Sequence, residues 1–238
     1  LRWLVGFVAG DWGQSFRTGE PVLSEFASRL PLSFGLGVSG LALAALLAVP
    51  LGFTAALTPG GAADRLSRLL TIVTQAVPTF WLGLVLVWVL GVELKLLQPF
   101  SGGPAILVIA AALIALQLIG SFARVYRREL LAQSALPHFR TALAKGLGRR
   151  EALWRHAHAA GLYAMLAALR AEAGWAIGST ATLEVLFGLP GVSQFLVASI
   201  AARDYAVLLA YIMTTAVWMT AMNSLAKLAM HRLDQRSR

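Results

Sequence analysis

Apolar residues fall in five long runs along the chain: Leu32 to Leu57, Leu69 to Gly91, Pro104 to Ala123, Gly161 to Phe187 and Tyr205 to Ala226. Each is close to the roughly 20 residues that a helix needs to cross the hydrocarbon core of a bilayer, and none has the alternation of a barrel strand. Backbone groups inside a bilayer must be satisfied within the chain, so these runs predict helices. The expected fold class is all-α, a polytopic transmembrane helical bundle with five visible spans. The stretch between the third and fourth runs, residues 124–160, is too long for a turn between neighbouring helices, which takes about 2–8 residues. Pro137 suits the first turn of a short helix with Phe139, Ala142 and Leu143 on one face, and Gly146 with Gly148 supplies a stop. A second helix from Arg149 puts Leu153, Trp154 and Ala157 on an apolar face and Arg150, Glu151 and Arg155 elsewhere. Such a unit can project a rigid knob into a partner's groove or lie on anionic lipid, and spacing alone leaves both readings open.

Composition supports the membrane reading: 58% of the 238 residues are hydrophobic and 13% are charged, against about 25% charged in soluble domains. Cysteine is absent, which excludes a disulfide framework, a thiolate metal site and a thiol nucleophile. The net charge of +9 does not point to nucleic acid, because the basic residues sit between the apolar runs rather than on a solvated domain. Residues 58–68, 124–160 and 227–238 together carry 14 Lys and Arg, whereas residues 1–31, 92–103 and 188–204 carry 5. Lysine and arginine are retained on the cytoplasmic side. The first set is therefore expected to face the cytoplasm, the visible amino terminus to lie outside and the carboxyl terminus inside. No apolar run or cleavable signal precedes that outside terminus, so a first helix is expected to be absent from this chain. The expected division is a periplasmic segment 1–31 followed by a transmembrane domain 32–238.

Ionisable groups within the runs are expensive and face a bundle interior or an aqueous path. They are Arg170, Glu172 and Glu184, all in the fourth run. Glu172 is a candidate for the translocation path or for pairing with another helix; Glu184, beside a Leu-Pro-Gly turn, suits a structural hydrogen bond or substrate contact. Gln75 and Gln117 are further path candidates, although such side chains also serve as glue between helices. Gly35, Gly37 and Gly40 are expected to let helices approach closely, and Pro50 and Pro78 to kink theirs. Of the four histidines, His156 and His158 are two apart rather than the four that place a metal pair on one helix face. No metal or cofactor site is therefore expected. No clustered catalytic constellation is visible, nor any Gly-x-x-x-x-Gly-Lys-Ser/Thr phosphate loop, so catalytic residues are not expected here.

The run Arg140-Thr141-Ala142-Leu143-Ala144-Lys145-Gly146-Leu147, followed by Arg155-His156-Ala157, resembles the cytoplasmic "EAA" loop of permeases of binding-protein-dependent ATP-driven importers, in the form found in the oligopeptide, dipeptide and nickel branch. Further matches are Gly10-Asp11-Trp12-Gly13-Gln14-Ser15, Arg29-Leu30-Pro31, Asp64-Arg65, Val77-Pro78-Thr79-Phe80, the run from Glu184 to Val192, and Arg203-Asp204-Tyr205. The resemblance covers essentially the whole chain in the family's order. The family's usual first helix is missing, and Ala160, Ala164 and Asp234-Gln235-Arg236 depart from its pattern.

The resemblance implies a multi-pass protein of the bacterial inner membrane that forms half of a path for a short peptide or for a chelated metal such as nickel or a metallophore complex. It implies a second permease subunit, two ATPase subunits that hydrolyse the ATP, and an extracytoplasmic substrate-binding protein. Phe139, Arg140, Thr141, Ala142, Lys145 and Gly146 are then the residues that couple to the ATPase. Two other classes remain to be weighed. A secondary transporter driven by an ion gradient calls for an internal repeat with a buried carboxylate site, of which Glu172 alone is thin support. A non-transporting membrane scaffold needs neither the knob nor a polar path.

Overall fold

The computed structural model describes residues 2–96, 103–174 and 176–237. Among these every regular element is helical: α1 (Arg2–Val8), α2 (Val22–Leu57), α3 (Ala62–Ala76), α4 (Thr79–Val87, continuing into a π-helical turn at Trp88–Glu93), α5 (Pro104–Ser134), α6 (Pro137–Ala144), α7 (Arg149–His156), α8 (His158–Ala173), α9 (Ala176–Phe187), α10 (Val192–Ala201) and α11 (Tyr205–Ser237). Three of them, α2, α5 and α11, are long and apolar enough to cross a membrane, and up to five spans result if two bent helix pairs each count as one.

The helices depart from the apolar runs in ways that the local chemistry explains. The first starts at Val22 rather than Leu32 and the third continues to Ser134, past Ala123. Polar residues do not stop a helix outside the hydrocarbon, so the apolar run marks the crossing and not the element. The second run is not one helix: it breaks between α3 and α4, where Val77 is extended (φ −106°, ψ 120°) ahead of Pro78, whose ring disfavours a helical predecessor. Pro50, by contrast, lies inside unbroken α2. The fourth run divides into α8 and α9, and α9 then bends by 81° into α10 across the Leu189-Pro190-Gly191 turn.

The chain forms two compact units. The first comprises residues 1–39, 80–111 and 174–221. Its core gathers Val22, Phe26, Val192, Phe195, Val207 and Ala210, with Trp12 stacked on Phe7 and edge-on to Phe26. Asp204, fully buried, ties the N-terminal loop down by accepting from Ser15 Oγ (2.6 Å) and from the Arg17 amide (3.3 Å).

The second unit comprises residues 40–79, 112–173 and 222–238. Helix α5 is approached closely wherever a glycine removes a side chain. A Cβ at Gly52 would lie 2.6 Å from the Ala123 carbonyl, one at Gly120 2.5 Å from Thr71 Oγ1, and one at Gly161 2.8 Å from the Tyr126 ring. Small residues play this part in membrane helices, where van der Waals packing drives association. The expectation for Gly35 is corrected, since a Cβ there meets nothing within 4 Å. Asp64 seals the α2–α3 turn. Its carboxyl accepts from the Gly60 amide (2.8 Å), from Arg68 (2.6 Å) and from Arg127 on α5 (2.9 Å).

Candidate coupling surface

The segment from Leu136 to His158 builds a helix, turn, helix knob on the second unit. Pro137 occupies the first position of α6 after an extended Leu136, where its fixed φ suits a helix start and its missing N–H is no loss. The end of α6 is set by Gly146 at φ +90°. The Gly146 amide donates to the Leu143 carbonyl (3.0 Å) and the Leu147 amide to the Ala142 carbonyl (3.2 Å). This paired closure satisfies two terminal carbonyls and requires a left-handed residue at the turn. Gly148, at φ −66°, then begins α7.

The two helices divide their side chains differently from the spacing, which puts Leu143 and Trp154 on the apolar faces: these two are 39% and 56% exposed. Phe139 and Ala142 of α6 and Ala152 and Leu153 of α7 are buried against the rest of the unit, whereas Arg140, Thr141, Lys145 and Gly146 are exposed. Ala142 is 6% exposed, so it faces its own core and offers no outward gap for a neighbour. Overfilling at that position would perturb this chain first.

α7 is fastened at several points. Arg149 donates to the carbonyl of Ala56 (3.3 Å), in the last turn of α2, where unpaired carbonyls and the helix dipole favour a cation. Trp154 meets Phe53 of α2 edge-on at 5.7 Å and stacks on His158 at 4.1 Å. The Nδ1 of His158 shares a hydrogen bond with the hydroxyl of Tyr126, which is fully buried on α5. Burial pushes the His158 pKa down, favouring the neutral ring. A cavity of about 730 Å³ opens beside this run, lined by Val49, Pro50, Phe53 and Thr54 of α2 and by Gly148, Arg150, Glu151 and Trp154. Arg149, Tyr126 and His158 did not stand out in the sequence, because their partners lie 93 and 32 residues away.

A family model described as "Binding-protein-dependent transport system inner membrane component" matches residues 48–238, a stretch that contains the whole knob. The chain belongs to this family. It is 28% identical to the oligopeptide transport system permease protein of Bacillus subtilis over 99% of this chain and 78% of that protein. It is 30% identical to a dipeptide transport system permease protein of Lactococcus lactis over 87% of this chain and 69% of that one. A crystal structure of an amino acid ABC transporter with histidines shares the fold, with a TM-score of 0.68 at 15% identity over 88% of this chain and 94% of that one.

The four polar residues considered for a path end up in different surroundings. Gln117 donates its amide to the Thr79 hydroxyl, linking α5 to the start of α4. Glu184 is 0% exposed and accepts from Thr180 Oγ1 (2.7 Å) and from the Gln194 amide (2.9 Å). It thereby supplies the N-terminal cap that Gly191, the N-cap residue of α10, has no side chain to provide. A Cβ at Gly191 would collide with that carboxyl. The neighbouring Val192 amide donates to Ser33 Oγ (2.9 Å). Glu172 is half-buried near the end of α8 and forms no ion pair among the described residues. The side chain of Gln75 lies outside the described residues.

Proposed function

We propose that this chain is one half of the translocation path of an ATP-driven importer of short peptides, with the Leu136–His158 knob on the cytoplasmic side as the surface that receives the motion of an ATPase subunit. The observation that carries the coupling reading is the division of the knob: Arg140, Thr141 and Lys145 point outward while Phe139, Ala142, Ala152 and Leu153 anchor it. A helix pair lying passively on lipid would present its apolar face outward to the bilayer; here Phe139, Ala142, Ala152 and Leu153 are buried instead, and α7 packs on α8. Of the two cargoes that the sequence resemblance implies, the relatives' names favour a peptide over a chelated metal. A second permease, two ATPase subunits and an extracytoplasmic binding protein complete the assembly on this reading, and the 14-to-5 excess of Lys and Arg supports the orientation.

The test is transport by the whole assembly. Proteoliposomes holding this chain, its partner permease and the ATPase subunits should take up a labelled short peptide only when ATP and the binding protein are both supplied. Uptake driven by an ion gradient without ATP would overturn the reading. The chain has no cysteine, so Lys145→Cys gives a clean orientation probe, and labelling of it by an impermeant maleimide in intact cells would place the knob on the wrong side.

A further inference from the structure

We propose that a basic pocket formed by α8 and the end of α11 binds the phosphate group of an anionic phospholipid. The pocket has a volume of about 260 Å³ and is lined by Tyr163, Arg170, Lys227, Met230 and His231. Tyr163 and Arg170 are seven apart on α8 and Lys227 and His231 four apart on α11, so each pair lies on one helix face. Two cationic side chains, Arg170 and Lys227, thus line one small volume with no carboxylate among its lining residues. Neither Arg170 nor Lys227 is in an ion pair among the described residues. Like charges this close repel, and an anion among them relieves the repulsion. The donor set suits phosphate: a guanidinium fork for two oxygens, an ammonium point charge and a phenolic hydroxyl.

The position of the pocket favours a lipid over a free ion. Lys227 is the first basic residue after the apolar run that ends at Ala226, the headgroup level at which Lys, Arg and Tyr gather. On either side of it α11 presents Leu225 and Leu228, 57% and 62% exposed, as walls for acyl chains. Basic pockets between membrane helices recruit headgroups in this way. The peptide reading assigns no role to these residues.

The test uses the assembled transporter in nanodiscs of phosphatidylcholine with or without phosphatidylglycerol, with retained lipid counted by native mass spectrometry after detergent exchange. The wild type should keep phosphatidylglycerol in preference to phosphatidylcholine and melt at a higher temperature in its presence. Arg170→Gln and Lys227→Gln should each weaken that retention about tenfold, the scale of one charge-assisted contact. Arg232→Gln, on the same helix but outside the pocket lining, should retain lipid as the wild type does. Equal loss in all three variants would reduce the effect to bulk charge and overturn the proposal. So would unchanged retention in the two pocket variants, or inorganic phosphate alone reproducing the stabilisation, which would make this a free-anion site. Peptide displacing the lipid competitively would place the pocket on the substrate path and also overturn it.

Discussion

Gly146 offers a perturbation confined to the knob. Its φ of +90° costs an L-residue about 1–2 kcal/mol, most for a β-branched one. If the turn reorganises to avoid the strain, the bonds from Gly146 to Leu143 and from Leu147 to Ala142 are lost at a net of about 0.5–1.5 kcal/mol each. A Cβ there meets nothing within 4 Å, so no packing term adds to this. Gly146→Val should therefore shift the local equilibrium by about 2 kcal/mol, a factor of about 30 in the population of the native turn. Phe139 and Leu153 stay buried, so the chain should still fold and insert. Gly148→Ala is the control: a Cβ at Gly148 also meets nothing within 4 Å, but its φ is −66°, and it should behave as wild type. Expression, melting temperature, ATPase activity stimulated by substrate-loaded binding protein, and peptide uptake are measured on both variants. Gly146→Val should lose stimulated hydrolysis and uptake together at nearly wild-type expression. Equal, full coupling in the two variants would refute the link between the shape of the turn and transmission.

Three further outcomes follow from the contacts. Glu184→Ala should lower stability by about 2–4 kcal/mol by leaving the Thr180 hydroxyl and the Gln194 amide unsatisfied, and Glu184→Gln by less; the KM for peptide in surviving transporters should stay unchanged, and a selective KM rise in Glu184→Gln would instead place this carboxyl against substrate. Gly161→Val should destabilise by about 3 kcal/mol through overpacking against Leu130 and Tyr126, whereas Gly35→Ala should be within about 0.5 kcal/mol of wild type, both read from thermal unfolding in detergent. Asp64 is held at about pKa 2 by the Arg68 hydrogen bond first, with the Gly60 amide and Arg127 adding to it against the opposing effect of burial. Because this pKa is depressed, its stabilisation is present above the usual carboxylate value and fades as pH falls from about 4 through 2; the melting-temperature gap between wild type and Asp64→Asn, worth on the order of 1 kcal/mol after screening at exposed Arg68, should narrow over that window and stay constant between pH 6 and 8 (about neutral, where Asp is fully ionised).

The legible parts of this chain were those where one local cause decides the outcome. Bilayer thickness sets the length of the apolar runs, and α2, α5 and α11 answer to them. Pro137 and Gly146 bracket α6 because each acts through its own backbone, one by a fixed φ and the other by a positive one. Elements with competing causes were only partly legible. Val77-Pro78 broke its helix where Pro50 did not, although the two prolines look alike in sequence. Gly52, Gly120 and Gly161 mattered rather than Gly35 because close approach depends on the facing helix, and facing helices come from distant sequence. Ala142 shows the same limit: its smallness was visible, but not whether the space it leaves faces a partner or its own core.

The fastenings of the knob bear on how a displacement would travel on the proposed reading. α6 is held to the unit through Phe139 and Ala142, both apolar contacts without direction. α7 is held by directional contacts, Arg149 on the end of α2 and the Trp154–His158–Tyr126 run into α5. A non-directional contact lets a helix slide over its seat, whereas a hydrogen bond to a buried hydroxyl resists both sliding and rotation. Motion delivered to the exposed charges of α6 therefore has two ways into the membrane helices, back through the Ala135–Leu136 link into α5 and onward through the Gly146 turn into α7. The short, tightly closed turn is what makes the second route stiff. The glycine contacts then matter at the far end, because Gly52 and Gly161 bring α2 and α8 close to the α5 backbone and to Tyr126 itself. A displacement of Tyr126 cannot be absorbed by side-chain rearrangement there, since close-packed interiors transmit strain rather than dissipate it. It must move α2, α5 and α8 together.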